Sequence, residues 1–209
     1  MGTSYQNLLV IGELADVRGK VIAAGMNGWL VPAGPNRVVL LPREGEWDVA
    51  DVDPLAKQLS ADSDASVVTN EVVDSDAVVM TVYQEGRPVH RYVSDQSIFV
   101  DWFIDDEGDT KFRVNGVAYP ADADCPTGPS GADPRVLAPF GAGPVDLERL
   151  GAILQGELNE TGWRLAEQQH WAIAEALNLD PRALTAAFRW ARHEDLPLAV
   201  RVRPETLPE

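Results

Sequence analysis

Few residues of this chain have the type and spacing that chemistry needs. Glu167 and His170 stand three apart in a helical stretch, the Glu-x-x-His spacing of carboxylate-bridged di-iron sites. Such a site needs a second copy and two further glutamates. No second copy exists, and His170 lies between Ala166 and Ile173, so it reads as a packed core histidine. Cys125 is flanked by Asp124 and Pro126, with Asp122 nearby, and carboxylates beside a thiol oppose the reactive thiolate. His90 alternates with Tyr92 along a strand and has no acid or nucleophile for a partner. No nucleophile elbow, Walker loop or dinucleotide-binding glycine pattern occurs. No catalytic residue, metal ligand or cofactor is assigned, and an enzyme would have to assemble its site only in three dimensions.

Carboxylates are the groups present in quantity. The chain has 33 acidic and 17 basic residues, a net charge of −16. They are unevenly spread, with 9 acidic and 2 basic residues in 95–134, net −7 in 40 residues. Asp101, Asp105, Asp106, Glu107 and Asp109 are the densest group. Calcium wants six to eight oxygens, and Gly108 falls in the wrong place for an EF-hand loop. A solvated hairpin tip that docks basic side chains of a partner is the better reading. So negative a surface repels nucleic acid and anionic membrane and attracts cations, over about 8 Å in physiological salt. General solubility or salt adaptation is the competing explanation, in a composition with 14 Arg, 3 Lys and abundant Ala and Pro that suits a high-GC bacterium.

One basic pattern runs against this charge. Residues 173–184, from Ile173 through Asn178 to Leu184, have the spacing of a helix-turn-helix. Its second helix would present Arg182, Thr185, Arg189 and Arg192 to DNA, making a DNA-binding regulator using 163–193 the alternative function. Phosphate contacts dominate DNA affinity, so the net charge weighs against it, and two helices joined by a short turn also arise as plain packing.

The elements that must position these groups can be read from periodicity. Tyr5–Ile11 is a buried strand, and 13–26 a helix stopped by Asn27-Gly28. Residues 29–33 and 37–41 form a hairpin, and Asp53-Pro54 opens a helix through Leu59. Strands follow at 66–73, 77–83 and 88–94, then a pair at 98–104 and 111–114 around the acidic turn. Residues 120–144 read as a Pro/Gly/Asp-rich loop or linker. Helices follow at 146–155 and 163–177, and a last one capped by Asp180-Pro181 carries Leu184, Ala187, Phe188 and Ala191.

The expected fold is α+β: a mostly antiparallel sheet with helices on one face, followed by a small helical C-terminal part. The organisation is 1–119 as sheet domain, 120–144 as loop or linker, and 145–209 as helical part, able to pack on the first as one domain. Six tryptophans, Trp29, Trp47, Trp102, Trp163, Trp171 and Trp190, are anchors for a partner where exposed, with at least half expected in the core.

One cysteine forbids an intrachain disulfide, and no basic leader or long apolar run is present, which predicts a cytoplasmic protein that does not enter membranes. The function expected is non-enzymatic binding of a basic protein partner through Asp101–Asp109. Immunity proteins and antitoxins, acidic inhibitors that block basic toxin sites, are of this class.

Overall fold

Strand β1, Tyr5–Ile11, is buried on both faces, which is why its run Leu8–Ile11 is apolar without alternation. Tyr5 and Leu9 point into one core, Leu8 and Val10 into a second on the other side. The computed structural model describes residues 2–61, 65–157, 165–191, 195–196 and 198–204.

Around β1 an antiparallel seven-stranded sheet is built. On one side lies the hairpin β2 (Gly28–Gly34) and β3 (Arg37–Pro42); on the other, the meander β4 (Val67–Val73), β5 (Ala77–Gln84) and β6 (Arg87–Val93). Helices α1 (Leu14–Ala23) and α2 (Asp53–Ala61) cover one face, with Val17, Val21, Ala56 and Leu59 against Leu8, Leu30 and Leu40. The C-terminal helices cover the other face: α3 (Pro134–Leu137), α4 (Leu147–Leu154), α5 (Ala166–Ala176) and α6 (Pro181–Leu184). Leu137, Ile153, Ile173 and Leu184 join Tyr5, Leu9, Val39 and Met80 there. The fold is α+β.

A separate three-stranded sheet carries the acidic turn. It consists of β7 (Val100–Ile104), β8 (Thr110–Val114) and β9 (Val117–Pro120), in that order. Strand β10 (Val200–Val202) pairs with β2 at the edge of the large sheet.

Several expectations need correction. Helix α1 stops at Gly25, not at Asn27-Gly28: Gly25 takes φ +73°, and its N–H and that of Met26 reach back to the carbonyls of Ile22 and Val21 at 2.9 and 3.0 Å. Strand β9 was not expected, although Asn115-Gly116, at φ +48° and +82°, is the left-handed pair that closes a two-residue hairpin. Within 120–144, Asp133 caps α3 ahead of Pro134, the same device as Asp180-Pro181.

The last helix is a single turn. It ends at Leu184, and the chain is extended at Ala187 before a 3-10 turn at Phe188–Trp190. The cause is tertiary. Buried Asn7 of β1 donates its amide to the carbonyls of Leu184 and Ala186, at 2.7 and 3.2 Å. Those acceptors would otherwise have continued the helix, so the apolar spacing of Ala187 and Phe188 is not helical.

Candidate interaction surface

Antiparallel register fixes what each face of β7–β9 presents. Trp102, Phe112 and Tyr119 are opposite one another, as are Val100, Val114 and Val117, while Asp101 faces Arg113 and Ala118. The Phe112 ring is buried, with Trp102 tilted against it at 5.2 Å and Tyr119 stacked at 5.3 Å. Towards the β7 edge the same face is open: Trp102 is 58% and Ile104 71% exposed.

The five carboxylates singled out from the sequence are brought to this hairpin but do not play one role. Asp105 is internal to the turn. It accepts the N–H groups of Glu107 and Asp109 at 3.0 and 2.9 Å and pairs with Lys111 on β8. The hydrogen bond from Lys111, followed by those backbone donors, holds the Asp105 carboxyl below its usual value. Asp101 pairs across the strands with Arg113 at 3.5 Å, and that guanidinium lies 4.5 Å from the Phe103 ring.

Lys111 and Arg113 are the two cations of the 95–134 region, and both are engaged. No cation among the described residues lies within ion-pair distance of Asp106, Glu107 or Asp109. Lys111 is opposite both Phe103 and Pro120, so the turn after β7 and the turn after β9 share one end of the sheet. Asp122 lies in that second turn and adds to the same negative end.

A metal role for the turn has limited geometry behind it. Ligand oxygens of Asp105, Glu107 and Asp109 come within 4.8 Å of one another. A hard cation needs six to eight oxygens, and here the Lys111 ammonium already sits on Asp105.

The described residues of the DNA-binding alternative are each held by partners within the chain. Arg182 is forked onto Asp180 at 3.0 and 2.9 Å. Arg189 is half-buried and bonds the Ser4 carbonyl at 2.6 Å, Glu44 at 2.8 Å and the Asp48 carbonyl at 2.9 Å. Thr185 donates back to the Pro181 carbonyl. With Trp171 and Trp190, Arg182 and Thr185 line an open depression of about 400 Å³. Arg192 and Trp163 lie outside the described residues.

His170 is fully buried, as the stripe of Ala166, Ile173 and Leu177 requires. Its Nδ1 is 2.8 Å from the Tyr5 hydroxyl, and burial pushes its pKa down to about 4. Glu167 instead accepts from the Ser75 hydroxyl at 2.6 Å. His90 Nε2 meets the Gly131 carbonyl at 2.8 Å, and Cys125 is half-buried beside the Pro126 carbonyl.

The tryptophans depart from expectation. None of the five described is in the buried core, and Trp47, Trp102, Trp171 and Trp190 are exposed. Two of the five are cation platforms: Arg189 sits 4.4 Å from the Trp190 ring, and Arg201 5.1 Å from that of Trp29. The exposure of Trp102 beside the acidic turn was not foreseeable from spacing, because it depends on β7 being an edge.

No family model matches the chain, and neither a curated protein nor a solved structure matches it.

Proposed function

We propose that this chain is a non-enzymatic binding protein that receives a cationic macromolecular partner at the acidic end of β7–β9, as an acidic inhibitor of the immunity or antitoxin kind does. The observation that carries the reading is the division of charge at that end. Lys111 and Arg113 pair with Asp105 and Asp101, while Asp106, Glu107 and Asp109 are exposed and form no ion pair among the described residues. Like charges crowded into one turn repel, and a basic partner relieves that repulsion. Exposed Trp102 and Ile104 alongside supply apolar area, which gives affinity where charge mainly gives rate.

The DNA-binding reading has less support, because Arg189 is tied to three internal acceptors and α6 is one turn long. No helix among the described residues is long and apolar enough to cross a membrane. With a single cysteine, we place the protein in a reducing bacterial cytoplasm.

The test is the association rate of an oligolysine peptide as a function of salt. The triple variant Asp106→Asn, Glu107→Gln, Asp109→Asn should associate more slowly and with a flatter salt dependence, at unchanged Tm. An unchanged rate at every salt concentration would reduce the acidity to solubility.

A further inference from the structure

Among the described residues, the outer edge of β7 differs from the other sheet edges. Strand β6 carries Arg87, Pro88 and Arg91, and the 130–131 segment lies along its outer edge. Val93 exchanges hydrogen bonds with Ser130 at 3.0 and 2.9 Å, and Gly131, at φ +68°, comes so close that a Cβ would strike the Arg91 carbonyl oxygen. Strand β9 ends in Pro120, and β10 is three residues long with Arg201 at its centre. These are ordinary ways of keeping an edge from pairing: proline, charge, shortness or cover.

β7 has no proline, no basic residue and, among the described residues, no cover. Its sequence is Val-Asp-Trp-Phe-Ile, and its one charge, Asp101, is acidic, 69% exposed and 3.5 Å from Arg113 on β8. Among the described residues no backbone group pairs with it except those of β8. Both its upper-face residues at the acidic end, Trp102 and Ile104, are open to solvent.

We infer that the free edge of β7 is a strand-addition site, which takes an extended, basic segment of a partner protein as a fourth strand beside β7. This rests on the cationic-partner reading and names how that partner binds. Five residues of β7 offer the main-chain donors and acceptors for a segment of about the same length. Side chains on such a segment alternate between faces. Those on the Trp102–Ile104 face meet apolar surface, and those on the other run beside Phe103 and the exposed Asp101, which its long 3.5 Å pair with Arg113 leaves open to a second cation, with the segment's end beside Asp106 and Asp109. The recognised pattern is therefore alternating apolar and basic. A second copy of this chain would fit the edge but not the charge, since two chains of net −16 repel and each β7 edge carries the same acidic turn.

The experiment compares three peptides of equal charge by titration calorimetry at physiological salt: alternating Lys-Val, the same peptide N-methylated at every second residue along its pairing edge, and oligolysine. N-methylation removes backbone donors and leaves charge and side chains in place. The alternating peptide should bind at least about tenfold more tightly than either other peptide. The variant Ile104→Lys, which adds a guard charge at an exposed position, should lose about tenfold for that peptide while keeping its Tm. Equal affinity of the methylated peptide would overturn strand addition. So would no binding of the alternating peptide, or a dimer of this chain in sedimentation that Ile104→Lys dissolves. In any of these cases, salt-dependent oligolysine binding weakened by the Asp106, Glu107 and Asp109 triple variant leaves the cationic-partner reading standing. Absence of that binding removes both.

Discussion

Lys111 closes on Asp105 across the β7–β8 hairpin, and this one pair divides the acidic turn into an inner carboxylate and an outer set. The inner group has its oxygens filled by the ammonium and by two turn N–H groups. The outer ones are held in place by a turn they do not build. Asp105 thus builds the turn, and the recognition proposed for this end falls to other carboxylates a few residues apart.

Asp105→Asn should therefore lower Tm and disorder the hairpin, whereas Asp106→Asn, Glu107→Gln and Asp109→Asn should leave Tm unchanged. Because its folded pKa is depressed, Asp105 stabilises the protein above the ordinary carboxylate range, and that contribution is lost as pH falls through the depressed value. Thermal melts from pH 7 to pH 3 check both points: the Asp105→Asn curve should fall less steeply at the acid end than that of the parent.

His170 gives a second pH dependence at a higher pH. The unfolded chain binds a proton near the ordinary value of 6.5, while the buried ring, hydrogen-bonded to Tyr5, does so only near about 4. Stability is then fully present above the unfolded value and falls as pH drops through this window, approaching about 1.4 kcal/mol per pH unit. Urea unfolding at pH 7, 6 and 5 should show this slope, and His170→Leu should reduce it.

Removing the Arg189 guanidinium leaves Glu44, Asp48 and Ser4 without their shared donor. Glu44 keeps only 8% of its side chain exposed. Arg189→Ala should cost about 2–3 kcal/mol in denaturant unfolding. A loss below about 0.5 kcal/mol, the range of ordinary surface changes, would mean that Arg189 is not the internal tie described here.

Trp47 is 92% exposed and sits at φ +62°, followed by Asp48 at φ +56°. A bulky residue held in the left-handed region costs energy that its solvated ring does not return. Trp47→Gly should raise stability by about 0.5–1 kcal/mol, after allowing for the entropy of glycine in the unfolded chain.

Where hydrophobic period and local turn chemistry agree, the sequence was legible. β1 through β6, the start of α2 at Asp53-Pro54 and the cap at Asp180 follow from short-range pattern alone. The end of the last helix was decided at long range. The 181–191 helix was cut by Asn7, more than 170 residues away, whose buried amide needed the carbonyls of Leu184 and Ala186. β9 is the opposite case: its hairpin signal, Asn115-Gly116, is local, but the strand it opens, Val117–Pro120, is only four residues long and carries a weak pattern. The acidic turn was visible as a charge cluster, but its partition was not. Nothing in the spacing distinguishes Asp105 from Asp106 until Lys111 is placed beside it.

The most direct measurement is an amide chemical-shift map of the protein during titration with the alternating Lys-Val peptide at physiological salt. The account predicts shifts concentrated at 100–109, with new exchange protection of the outward-facing β7 amides. Shifts concentrated on the β6 edge or around 181–190, or spread evenly over the surface, would contradict it.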